Sequence, residues 1–263
     1  MAALEVSREG AVAILTMNRP GQLNALDETM AEGFAAAITQ IRADTSLRAV
    51  VLTGAGGAFC AGGDVKAMGR ASKDGTGENG TRTYLAALYR WFEQLVDLEK
   101  PVVAAVDGVA FGAGLSLALA ADFIFLSPRA RLCAVFARMG LVPDLGGLHL
   151  LPRRIGVPMA KELAFTTRIV HAPEAVQIGL ADSVIEGDVL AGAIAFAARF
   201  ETAPPLAIGL MKSILNNSLE NSPQNTYAQE ISAQSLCAQS QYFRTALEDF
   251  LQKRPSRFGW DGL

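Results

Sequence analysis

Thr53-Gly54-Ala55-Gly56-Gly57-Ala58-Phe59-Cys60-Ala61-Gly62-Gly63-Asp64 follows the apolar run Ala49-Val50-Val51-Leu52, and Asp107-Gly108-Val109-Ala110-Phe111-Gly112-Ala113-Gly114 follows Val102-Val103-Ala104-Ala105-Val106. Unbroken apolar runs of this length are the pattern of strands covered on both faces. Each glycine-rich stretch is therefore a turn leaving a buried strand. Residues with little or no side chain tolerate positive φ and let a ligand approach the main chain. Two such turns can aim two free N–H groups at one oxygen, which is an oxyanion hole. The plainer alternative is a pair of tight strand-to-helix turns.

Working outward, Leu4 to Arg8 and Val12 to Met17 read as a hairpin around Glu9-Gly10. Asp27 is placed to cap a helix in which Met30, Phe34, Ile38 and Ile41 recur at helical spacing. Tyr84, Leu88, Trp91, Phe92 and Leu95 mark a second helix between the two buried strands, which predicts β-α-β winding. A further strand is expected over Asp122 to Leu126, after a helix begun at Ala113, with a short strand near Arg131-Leu132-Cys133 pairing beyond it. The polar stretch from Gly69 to Thr81 is expected to be a mobile loop. From Pro158 onward the pattern is helical: Met159 to Phe165, Pro173 to Ile178, Val189 to Phe200, Leu206 to Asn216 and Pro223 to Phe250. Pro204-Pro205 is a strong break. It suggests a core domain over 1–203 and a C-terminal helical region over 204–263.

The 263 residues can bury roughly three quarters of their unfolded surface, enough for one large domain. A net charge of -3 with scattered basic residues provides no field for nucleic acid. Any anionic ligand must be held locally. Cys60, Cys133 and Cys237 form no CxxC pair, so a zinc ribbon or disulfide framework is not supported and no metal site is expected. The N-terminus lacks a basic segment with an apolar stretch behind it, and Val109 to Ala121 is shorter than the ~20 residues that span a bilayer. A cytoplasmic location without membrane attachment is expected.

Taken in order, several segments resemble the crotonase, or enoyl-CoA hydratase/isomerase, superfamily. They are Asn18-Arg19-Pro20 with Leu23-Asn24-Ala25-Leu26, Phe59 to Asp64, Gly108 to Gly114, Gly140-Leu141-Val142-Pro143-Asp144-Leu145-Gly146-Gly147, Leu151-Pro152-Arg153 and Gly179-Leu180-Ala181-Asp182. The resemblance implies an α/β spiral of β-β-α units with a C-terminal helical region that forms trimers, giving a homotrimer or a dimer of trimers. It implies an acyl-CoA thioester as substrate, with coenzyme A arriving as part of that substrate and no permanently bound cofactor. The thioester carbonyl would sit between the N–H groups of Gly63 and Ala113. Ala25, Ala61, Gly62, Asp64 and Val65 match the family's coenzyme A contacts, while Phe111, Gly112, Phe136 and Pro143 match the acyl side. Among these, Asp64 reads as a hydrogen-bond acceptor fixing the loop.

Departures from the family pattern carry the functional information. Hydratases of this family place two glutamates where this chain has Ser116 and Phe136. A serine without a partner histidine is a poor base, and phenylalanine has no proton to exchange. Asp144 is the carboxylate that remains, at a position where isomerases of the family carry aspartate. One carboxylate can take a proton beside the thioester and return it further along the acyl chain. Its plainer alternative is a helix N-cap. Phe136, Phe111, Leu115 and Met139 read either as an acyl cavity that excludes water or as ordinary core. His149 reads as a packing residue, His171 as exposed, and Arg19, Lys66 and Lys253 as surface cations with a coenzyme A phosphate as the alternative role. The favoured function is an acyl-CoA isomerase of the epoxyphenylacetyl-CoA isomerase type. An enoyl-CoA hydratase and a catalytically silent acyl-CoA-binding subunit are the alternatives.

Overall fold

The hairpin expected at the start, β1 (Leu4–Glu9) and β2 (Val12–Met17), forms one edge of a six-stranded sheet. The structure, a computed structural model, describes residues 2–64 and 77–259, with main chain only for 77–79. The sheet continues through β3 (Ala49–Gly54), β4 (Val102–Val106), β6 (Phe123–Leu126) and β9 (Ser183–Val184), all parallel after the antiparallel β1–β2 pair. Successive residues alternate between two cores, as the two-residue period of a strand requires. Val50, Leu52, Val102 and Ala104 face the larger core, while Ala49, Val51, Val103 and Ala105 face a smaller one. Both faces are covered, which is why these strands read as unbroken apolar runs.

Helix α1 (Glu28–Ala43) connects β2 to β3, and α2 (Gly77–Val96) connects β3 to β4. Asp27 caps α1 by accepting from the Met30 N–H at 2.9 Å. Phe34 of α1 stacks on Trp91 of α2, with centroids 4.6 Å apart. After β4 come β5 (Val109–Phe111), α3 (Ala113–Leu119) and, beyond β6, β7 (Arg131–Cys133). A second, three-stranded sheet of order β5-β7-β8 runs alongside, β8 being Val170–His171. Single bridges, Leu26 with Gly63 and Cys60 with Ala110, extend this layer toward the N-terminus. Each turn of the chain thus gives one strand to the large sheet, one short extended piece to the small layer, and then a helix. This is the β-β-α spiral.

Helix α4 (Gly147–Thr166) is broken at Gly156, where φ 75° and ψ 157° are non-helical. It is followed by α5 (Ala172–Gln177), α6 (Val189–Ala198), α7 (Pro205–Asn216), α8 (Pro223–Ala238) and α9 (Gln241–Leu251). Helix α6 covers the outer sheet face through Val189, Ala193 and Ala197. Helix α7 is tied to the body by Lys212, whose Nζ lies 2.7 Å from Asp122 Oδ2 and 3.2 Å from the Lys100 carbonyl oxygen. Helix α8 buries none of its side chains. Among the described residues no helix is long and apolar enough to cross a membrane.

Four expectations are corrected. Strand β7 pairs with β5 and β8 in the small sheet, and β9 takes the place beside β6. Gly77 to Thr81 begins helix α2, whereas Gly69 to Thr76 lies outside the described residues. The stretch Pro223 to Phe250 is two helices, because Ser240 turns extended and its hydroxyl caps a new helix at the Phe243 N–H, 3.1 Å away. The C-terminal run of helices starts at Gly147, before Pro158.

Candidate active site

Parallel pairing of β3 with β4 brings both glycine turns out side by side at the carboxyl ends of neighbouring strands. The turns are stitched together: the Cys60 N–H donates to Val109 and the Phe111 N–H to Cys60, both at 2.9 Å. Contact between the two backbones is too close for side chains. A methyl on Gly62 would lie 2.9 Å from the Phe111 oxygen and 3.5 Å from the Ala113 nitrogen, and one on Gly114 would lie 2.2 Å from the Cys60 oxygen. Gly62 also sits at φ 105°, and Gly112 precedes α3 at φ 55° and ψ −124°. Leu26 donates to Gly62 at 2.8 Å and accepts from Asp64 at 3.0 Å, so its bonds straddle Gly63. The N–H groups of Gly63 and Ala113 donate to no acceptor among the described residues.

Arg19 frames the first turn. Its guanidinium lies 3.1 Å from Asp27 Oδ2 and 3.2 Å from Asp64 Oδ2, and donates to the Ala25 carbonyl at 2.5 Å. Asn24, buried at φ 56°, donates from Nδ2 to the carbonyls of Ala55 (2.9 Å) and Ala58 (2.7 Å), and its Oδ1 accepts from the Arg19 N–H at 2.8 Å. Ala61 joins the frame by donating to Leu23 at 2.9 Å. Arg19 is therefore an internal clamp and not a surface cation. Asp64 is one of the acceptors it holds. Lys66 and Val65 lie outside the described residues, and Lys253 is exposed.

On the other side, the Asp144 loop enters α4. Its capping position belongs to Gly146, which makes no side-chain cap bond, so Asp144 is not the N-cap. Oδ1 of Asp144 is buried and has no hydrogen-bond partner among the described residues. Burial pushes the carboxyl up to about 6, opposed by one backbone hydrogen bond. Leu145 is held at φ 43°, a left-handed conformation costly for a branched side chain, and is fully buried. The Gly146 N–H reaches the Tyr89 hydroxyl at 3.4 Å, and a methyl on Gly146 would meet the Phe92 ring at 3.0 Å. Helix α2 thus braces the loop. Burial, and after it the carboxylates of Asp27, Asp144, Glu28 and Asp64, raise the pKa of Tyr84 on the same helix.

The second turn meets the Asp144 loop through α3. Ser116 is buried, and its Oγ would lie 2.7 Å from a methyl on Gly147, with Pro143 Cβ at 3.1 Å. Phe136, on a 3₁₀ turn, reaches to 3.8 Å from a methyl on Gly112. Phe111 is half-buried beside it. The expected acyl lining is only partly assembled: Leu115 belongs to the main core, and Met139 is 62% exposed. His149 is exposed, not packed, with its pKa lowered by partial burial and by Arg153. His171 is exposed as expected. Burial pushes the Cys60 thiol up to about 12, which leaves it protonated and unreactive at neutral pH.

The enoyl-CoA hydratase/isomerase family model matches residues 7–261. The chain belongs to this family, the crotonase superfamily of enzymes acting on coenzyme A thioesters. The chain is 34% identical over 255 residues to the 1,2-epoxyphenylacetyl-CoA isomerase of Escherichia coli K12, covering 95% of each chain. It is also 34% identical over 251 residues to the short-chain-enoyl-CoA hydratase of Clostridium acetobutylicum, covering 95% of this chain and 94% of that one. The crystal structure of an enoyl-CoA hydratase/isomerase from Cupriavidus metallidurans CH34 superposes with a TM-score of 0.93 at 35% identity, covering 100% of this chain and 98% of that one.

Sequence reasoning missed the Arg19 clamp and the brace from Tyr89 and Phe92. Asn18-Arg19-Pro20 and Asn24 stood in the family pattern, but nothing local says that a cation there is enclosed by two carboxylates. The aromatic residues of α2 were legible only as a helical stripe.

Proposed function

We propose that this enzyme is an acyl-CoA isomerase in which Asp144 moves a proton along the acyl chain while the N–H groups of Gly63 and Ala113 hold the thioester oxygen. The observation that carries this is the Asp144 carboxyl: half-buried, with a buried Oδ1 that has no hydrogen-bond partner among the described residues, and raised by desolvation to about 6. Such a group ionises near neutral pH yet retains basicity, the condition for acid–base work in both directions. Asp144 removes the proton on the carbon beside the thioester carbonyl. The electron pair moves onto the carbonyl oxygen, giving an enolate between the two N–H groups. The enolate collapses as the Asp144 carboxyl, whose proton exchanges with solvent, delivers a proton further along the chain, so the double bond has shifted. Ala25, Ala61, Gly62, Asp64 and Val65 are the proposed coenzyme A side, and Phe111, Gly112, Phe136 and Pro143 the acyl side.

Ser116 and Phe136 at the two hydratase positions, neither able to activate water, support isomerisation over hydration. Similarity to the epoxyphenylacetyl-CoA isomerase supports, as the finer proposal, rearrangement of a ring-epoxide of phenylacetyl-CoA. Equal identity to a short-chain-enoyl-CoA hydratase keeps hydration as the competing reaction. Acyl-CoA esters incubated in D₂O discriminate between them. Deuterium is expected in the acyl chain with the native protein and not with Asp144→Asn. Rapid hydration of crotonyl-CoA that survives Asp144→Asn would refute the proposal. Thioester binding without exchange in either protein would indicate the silent-subunit alternative.

The assembly proposed is a homotrimer or a dimer of trimers formed through residues 204–263. Ile231, Leu236, Phe250 and Leu251 on α8 and α9 are 68%, 56%, 78% and 71% exposed, a density of apolar surface that supports burial against other copies.

A further inference from the structure

At the amino ends of β3 and β4, away from the glycine turns, a groove of about 400 Å³ opens between the end of α1 and the α6–α7 junction. Its floor is apolar, made by Leu47, Pro101, Phe200, Leu206 and Ile208, and its rim carries Arg42, Arg48 and Lys100 against the single carboxylate of Glu99. None of the three cations meets a carboxylate within ion-pair distance among the described residues. Arg42 donates to the Gln94 carbonyl at 3.0 Å, Lys100 to the carbonyls of Ile41 (2.5 Å) and Arg42 (3.3 Å), and Arg48 to those of Thr45 and Leu47. An arginine carries five donors and an ammonium three. Each cation therefore keeps donor capacity beyond these bonds, and the three together outnumber the nearby carboxylates of Glu99 and Asp44. Burial and the nearby Arg48 and Arg42 depress the Lys100 pKa, against Asp44 and Glu99.

We infer that this groove is a second ligand site, separate from the acyl-CoA site, that takes an amphiphilic monocarboxylate of the fatty-acid or aryl-acid class. Both features are needed to select that class. A small inorganic anion satisfies the rim and leaves the floor wet, whereas a neutral apolar molecule fills the floor and leaves the rim's excess of positive charge unrelieved. The volume lies in the range that encloses a small organic ligand. The candidate active site opens at the carboxyl ends of β3 and β4, whereas this groove lies at their amino ends, so a carboxylate here does not compete for the thioester. Bound, it bridges α1, the starts of β3 and β4, and α7 across the Pro204-Pro205 break.

Isothermal titration of octanoate into the full-length protein, with acetate and 1-octanol as controls, tests the inference. One octanoate per chain is expected, with acetate and octanol each at least tenfold weaker. Arg42→Glu with Arg48→Glu reverses the rim charge and should weaken octanoate at least tenfold. So should Leu206→Glu, a change at a position 44% exposed that tests the floor if the double variant does not fold. Asp144→Asn should bind octanoate as the native protein does, even if the isomerase proposal fails. Octanoate binding undiminished in the groove variants, octanol or acetate binding as tightly as octanoate, or no octanoate binding at all would each overturn the inference.

Discussion

Asp144 is a single carboxylate in a mostly buried place, and its cost should be measurable apart from any activity. Because its folded pKa, about 6, lies above the unfolded carboxylate value, the folded state holds the proton more tightly. The stability it contributes is full below about pH 4 and is lost as pH rises through 6. Asp144→Asn should therefore stabilise the protein at pH 7 by up to about 3 kcal/mol, two pKa units at most, and bring nothing at pH 3.5. Urea unfolding at the two pH values checks this. The same substitution should lower kcat/KM for an isomerised thioester by roughly 10²–10⁴-fold. The native pH–rate profile should show an acidic limb near 6 that the variant lacks. Arg19→Met is expected to cost about 2–4 kcal/mol, because it leaves Asp27 and Asp64, 24% and 14% exposed, without their shared cation. Both carboxylates and the arginine were visible in the chain. Their meeting was not, since 45 positions separate Arg19 from Asp64 and it is the tertiary bonding of residues 23–26 to 58–64, the Leu26–Gly63 bridge among it, that brings them together.

Elements placed by their own periodicity were legible in advance. Met30, Phe34, Ile38 and Ile41 all face the core of α1, and Asp27 caps it, because a helix stripe and its cap are decided within a few residues. Strands β3 and β4 were equally plain. The short pieces β5, β8 and β9 were not, since two or three residues carry no period, and Val109–Phe111 reads as part of a glycine turn until Arg131–Cys133 pairs with it. The turns themselves invite a direct test. Gly114→Ala would put a methyl 2.2 Å from the Cys60 carbonyl oxygen, a backbone atom that cannot swing aside. The two turns must then separate. A fall in Tm accompanied by loss of thioester turnover is expected, whereas Gly21→Ala, with nothing within 4 Å of the new methyl, should change neither.

For the whole molecule, the proposed assembly predicts that Ile231→Asp with Phe250→Asp shifts sedimentation from a trimer-based species to a lower-order one, with little change in helix content because neither side chain is buried in the monomer. A native protein sedimenting as a monomer would refute that proposal. The β-α-β winding was recoverable from the chain because its large strands are buried on both faces and its main helices carry apolar stripes, each a local signal, whereas the β-β-α spiral followed from the family resemblance. Family membership followed from the same ordered segments. Only the tertiary structure decided which main-chain N–H groups lack acceptors among the described residues, that one Asp144 oxygen is buried without a partner among them while Gly146 takes the cap, and that Arg19 is enclosed. Burial, desolvation and hydrogen-bond satisfaction are properties of what surrounds a residue, and distant segments of the chain supply those surroundings.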